Sequence, residues 1–155
     1  MIKMNFTKGL LSMTVLIMFF CISLVFAESK KEVDAIHDLH LQLEKVHASI
    51  YANPDKTVAT NKLVVALKGV KDKKYAKDLK KASLVAKKLG NAKDQKTRFE
   101  TYSRLSEILE KYIKANASSG MNVFYCPMVK KKWIAKGEKV RNPYDSSMRE
   151  CGNKL

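Results

Sequence analysis

Apolar residues recur mostly at spacings of three and four over four successive stretches, a period that restricts most of this chain to amphipathic helices. In residues 28–53, Val33, Ile36, His40, Leu43, His47 and Ile50 make one stripe. Ile36, Leu39, Leu43, Val46 and Ile50 make a second beside it, so the apolar face is wide, with His40 and His47 along its edge. Asn53-Pro54 ends this helix, because proline pushes the preceding residue out of the α region. A second helix is predicted from Pro54, with Ala59, Leu63, Ala66, Leu67 and Val70 inward. A third covers residues 72–89 with Tyr75, Leu79, Ala82, Ala86 and Leu89 inward, stopped by Gly90-Asn91. Asp94 is the predicted N-cap of a fourth, whose stripe is Phe99, Tyr102, Leu105, Leu109 and Tyr112. The pattern predicts an all-α fold: an up-down bundle of about four helices, with a loop-rich C-terminal tail packed on it that has room for one short extended piece at Val123–Tyr125.

The N-terminus reads differently. Lys3 and Lys8 flank the start of an apolar run over residues 10–26, and Val25-Phe26-Ala27 supplies a cleavage site. This is the pattern of a secretory signal peptide, residues 1–27, with cleavage after Ala27. Phe20 stands before Cys21 where lipidation needs a small residue, so no lipid anchor is expected. Residues 28–155 then form one domain, a bundle over 28–120 and a tail over 121–155. Its only cysteines, Cys126 and Cys151, are an even pair in an exported protein, which suggests a disulfide.

The formal charge is +15, and it is unevenly placed. Residues 56–96 hold thirteen lysines against three aspartates, with no arginine before Arg98 and one aromatic, Tyr75. Nucleic-acid binding normally adds arginine forks and stacking aromatics to such a patch, so no nucleic-acid partner is expected. The lysines read as a solvated face, with weak contact to an anionic membrane surface or attraction to an acidic partner as the functional alternative. None of the G-x-S-x-G, P-loop or H-E-x-x-H patterns is present, and no catalysis is expected.

The chemistry is concentrated in the tail. Outside the leader, every methionine and cysteine lies in residues 121–151. Cys126 and Met128 are two apart, so an extended backbone points both to one side. Met148 and Cys151 are three apart, so one helical turn does the same. Thiolate and thioether favour soft ions such as Cu(I). The candidate ligands are therefore Cys126, Met128, Met148 and Cys151, joined by His40 or His47 if the tail folds back on the first helix. The competing reading is a Cys126–Cys151 disulfide, which in the chain-entropy model stabilises by about 3 kcal/mol, with the methionines filling gaps.

Tyr125-Cys126-Pro127-Met128, Gly137-Glu138, Arg141-Asn142-Pro143-Tyr144 and Met148 with Cys151-Gly152 together resemble a small domain of bacterial envelope proteins. That domain, of unknown function, also occurs fused to periplasmic adaptor subunits of copper/silver efflux pumps. The resemblance covers only the tail. It implies a periplasmic location, a copper context, and an efflux adaptor or other envelope protein as partner. Two functions stand: a periplasmic soft-metal binder holding one Cu(I), acting in metal handling or efflux, and a non-catalytic envelope interaction module stapled by a disulfide. Export itself is open to a direct check. Intact mass of the protein recovered from the periplasm should place Glu28 at the N-terminus; a full-length product embedded in the membrane would contradict the leader assignment.

Overall fold

The computed structural model describes the backbone from residue 7 and the side chains from residue 30, in both cases to residue 155. Residues 1–6 of the expected leader, and the side chains of all of it including the cleavage site after Ala27, lie outside what is so described. The chain divides into two compact units, residues 1–34 and 35–155. Helix α1 (Thr7–Ala52) gives its C-terminal part to the second unit, which also holds every later element. Among the described residues, no helix is long and apolar enough to cross a membrane.

Within the second unit the helices follow the stripes, except that Ala59 is exposed and precedes α2; Val33 of the first stripe, in the other unit, is exposed too. α1 stops just before Asn53-Pro54, and α2 (Asn61–Gly69), α3 (Ala76–Gly90) and α4 (Gln95–Ala115) come after it. Leu39, Leu43, Ile50, Leu63, Leu89 and Leu105 from these four helices are buried in one apolar core. α2 packs on α3, and α3 on α4. Asp94 caps α4 as its sequence position suggests, accepting the Thr97 N–H at 2.8 Å. Gly90 is required by close approach: a Cβ there would collide with Thr60 Oγ1.

The second helix begins later than predicted, at Asn61 rather than at Pro54. The intervening segment is instead held by Arg98, a fully buried residue of α4. Its guanidinium donates to the carbonyls of Pro54 and Asp55 at 2.5 and 3.5 Å. These bonds compensate a buried cation that would otherwise be costly, and they fix the path from α1 to α2.

The tail corrects the all-α, loop-rich expectation. It is a three-stranded antiparallel sheet in the order β2-β1-β3, made of β1 (Met121–Cys126), β2 (Lys131–Lys136) and β3 (Asn153–Lys154). The protein is mostly helical with this small sheet attached. Phe124 pairs with Trp133 on one face, and Val123 with Ile134 on the other; all four are buried. The extended piece expected at Val123–Tyr125 lies within β1; elsewhere a strand buried on both faces loses the polar–apolar alternation that would announce it, so β2 reads as loop.

The core assignment is open to a stability test. Leu105 is completely buried, and Leu105→Ala should lower unfolding free energy by about 2–5 kcal/mol in chemical denaturation. A loss near zero would place this face of α4 outside the core.

Candidate functional site

The tail sheet is positioned by the helices on which it lies. β2 is an outer strand, and an outer strand presents unpaired backbone groups to whatever adjoins it. Here side chains meet them. Ser103 Oγ of α4 accepts the Lys132 N–H at 3.1 Å, and the Tyr144 hydroxyl donates to the Lys132 carbonyl. The Tyr102 hydroxyl, also from α4, donates to the Ile134 carbonyl at 2.8 Å. Glu44 of α1 accepts the Lys136 N–H at 2.7 Å, and Arg141 donates to the Lys136 carbonyl at 3.1 Å. Burial pushes both phenols well above their ordinary pKa, so each remains a protonated donor. Ion pairs reinforce the edge: Lys132 with Glu110 at 2.6 Å and Arg141 with Glu44 at 2.7 Å.

The motifs of the tail have structural roles in this arrangement. Asn142 is buried; its side-chain oxygen accepts the Tyr144 N–H at 3.0 Å, and its own N–H donates to the Arg149 carbonyl at 2.8 Å. Pro143 thus sits in a turn that aims Tyr144 inward, where its ring meets Phe99 edge-on at 5.3 Å and Trp133 at 6.1 Å. Trp133 stacks on Phe124, 5.5 Å between centroids. Gly152 lies against that indole: a Cβ would approach Trp133 Cη2 to 2.5 Å. The glycine after Cys151 is therefore needed for packing.

Six residues are candidate ligands by sequence. Cys126 and Cys151 come together in a disulfide, with their Cα atoms 5.6 Å apart. Cys126 is the last residue of β1, and Cys151 lies two residues before β3, so the bond ties the short C-terminal strand to the central one. Met128 is exposed in the β1–β2 turn, and Met148 is half-buried in a short 3-10 turn over Ser146–Met148. Both histidines are buried on α1, and the tail does fold back on that helix. The His47 Nε2 lies 2.8 Å from the Arg141 carbonyl. The partner is an acceptor, so Nε2 carries the proton and donates. His40 adjoins the Tyr112 ring, 6.4 Å between centroids. Among the described residues, no three of His, Cys, Asp and Glu gather as they would around a metal ion.

Sequence reasoning does not identify Glu44, Ser103 or Arg141 as residues that hold the tail. Glu44 and Arg141 are 97 positions apart, and although Arg141 opens the Arg141-Asn142-Pro143-Tyr144 motif, nothing in that motif points to Glu44. Glu44 does fall beside the inner stripe of α1, one residue after Leu43, and that position is its only available signal. No family model, no curated protein and no solved structure matches the chain.

Burial holds the His47 imidazole at a pKa of about 4, helped by the positive charges of Arg141 and Arg149 and opposed by its bond to the Arg141 carbonyl and by Glu44. His40 is lowered too, by burial and then by His37. In the unfolded chain a histidine titrates near 6.5. The folded state therefore favours neutral imidazole: its full contribution is present above pH 6.5 and is lost as pH falls from 6.5 toward 4. For His47 the loss is on the order of 3 kcal/mol. Thermal melts across this window should show falling Tm, and His47→Gln should flatten the decline. An equal pH slope in the variant would show that His47 is not buried neutral.

Proposed function

We propose that this chain is a non-catalytic interaction module of the cell envelope, whose C-terminal sheet is a disulfide-stapled structural cap. The observation that carries the reading is the Cys126–Cys151 bond. It occupies both sulfurs that a soft-metal site would need as thiolates. It also secures a strand of two residues that has little apolar surface of its own. The burial of His40 and His47 supports the same reading, since His47 already commits Nε2–H to the backbone of the tail.

A second reading is favoured by the same geometry in the reduced state. Two cysteines 25 positions apart are brought sulfur to sulfur, and reduction would leave adjacent thiols suited to Cu(I). Met128, exposed nearby in sequence, or Met148 would add a thioether. The resemblance of the tail to domains on copper/silver efflux adaptors points the same way, toward a metal-handling partner in the periplasm.

Competition against a chromophoric Cu(I) chelator separates the two. Under the interaction reading, reduced wild type removes no more Cu(I) from the chelator than the Cys126→Ser/Cys151→Ser variant does. Reduced wild type that strips the chelator while the double variant does not would overturn this reading and establish the soft-metal one.

A further inference from the structure

All thirteen lysines of residues 56–96 are exposed. Among the described residues, none of them has a carboxylate within ion-pair distance; the five pairs present all lie elsewhere. This field is not uniformly polar. Leu84 of α3 is 56% exposed and Val65 of α2 is 69% exposed. Lys80, Lys81, Lys87 and Lys88 lie three or four residues from Leu84, so helical geometry rings it with ammonium groups. Val65 stands beside Lys68 by the same rule. Between α2 and α3 runs a groove of about 320 Å³ floored by Leu67, Val70, Ala76 and Leu79. Lys68, Lys80 and Lys87 form its rim, and Leu84 borders it.

We propose that this lysine-rimmed groove between α2 and α3 docks on an anionic lipid bilayer, with Leu84 and Val65 entering between headgroups. The inference rests on the interaction-module reading and names its partner. Charge complementarity selects the occupant. A protein partner with defined carboxylates is best matched by arginine, whose planar fork pairs with them bidentately. The basic residues here are all lysine, compact point charges that attract a diffuse anionic surface without demanding fixed partners. An apolar side chain inside such a ring gains by entering the lipid boundary while its lysines remain at the headgroups.

The test is co-sedimentation of the whole chain, as isolated, with vesicles of phosphatidylcholine alone or mixed with phosphatidylglycerol. A retained apolar leader would bind both vesicle types and all variants alike, so the readout is the difference between them. Wild type should partition to anionic vesicles, and salt should weaken it. Each lysine near the surface is worth about fivefold in partition. Reversal of Lys68, Lys80 and Lys87 to Glu should therefore lower binding on the order of a hundredfold. The same charge change at Lys45, Lys136 and Lys139, away from these helices, should cost far less. Leu84→Ser with Val65→Ser, at exposed positions, should lower binding by about tenfold while leaving the melt unchanged. Equal partition to neutral and anionic vesicles would overturn the proposal, as would equal loss from the two charge reversals. So would groove-dependent binding of polyglutamate without vesicle binding, which would make the partner an acidic protein. None of these outcomes depends on the chelator competition, so the membrane inference can fail while the disulfide-capped module stands.

Discussion

The outer edge of β2 is the constraint on which the tail depends. A three-stranded sheet with strands of six, six and two residues is too small to be stable alone. Its outward backbone groups on Lys132, Ile134 and Lys136 meet Ser103, Tyr144, Tyr102, Glu44 and Arg141 in place of a fourth strand. Two of these come from α4 and one from α1, so satisfying the edge and docking the sheet on the helices are one event. The same coverage removes a template for pairing with another chain. The opposite edge is managed otherwise. There β3 is very short and exposed, and the Cys126–Cys151 bond holds it in register beside β1.

This arrangement accounts for the residue types that make the tail look chemical. Cysteine, tryptophan, Asn-Pro-Tyr and Cys-Gly are each used to hold a small sheet together. The aromatic group of Phe99, Phe124, Trp133 and Tyr144 joins α4 to the sheet. Tyr51 of α1 receives the Arg149 guanidinium 4.1 Å from its ring centroid, adding a third attachment to α1 beside those of His47 and Glu44. A surface with unspent interaction capacity lies on α2 and α3, where among the described residues the lysines have no carboxylate at ion-pair distance and two apolar side chains reach solvent.

Much of the helical part was legible in sequence. The spacing of Leu39, Leu43, Ile50, Leu105 and Leu109 could serve only a buried helical face, and Asp94 marked the start of α4. The proximity of Cys126 and Cys151 was legible as well, because a disulfide and a soft-metal site both require the two cysteines of the tail to meet. The sheet was not. Its two longer strands have buried residues on both faces, so Trp133-Ile134-Ala135 shows no alternation, and flanking lysines mimic a solvated loop. Nor could the sequence reveal that Arg98, a charged residue within α4, would be fully buried and would delay the start of α2. Its partners are backbone carbonyls, which carry no sequence signature.

Amide hydrogen exchange at the edge of β2 tests the central claim most directly. The N–H groups of Lys132 and Lys136 face away from β1 and are bonded to the side chains of Ser103 and Glu44. They should be protected as strongly as the Trp133 amide in the middle of the same strand. Exchange as fast as that of the exposed Lys154 would contradict the account, leaving the sheet with an open edge and no fixed seat on the helices.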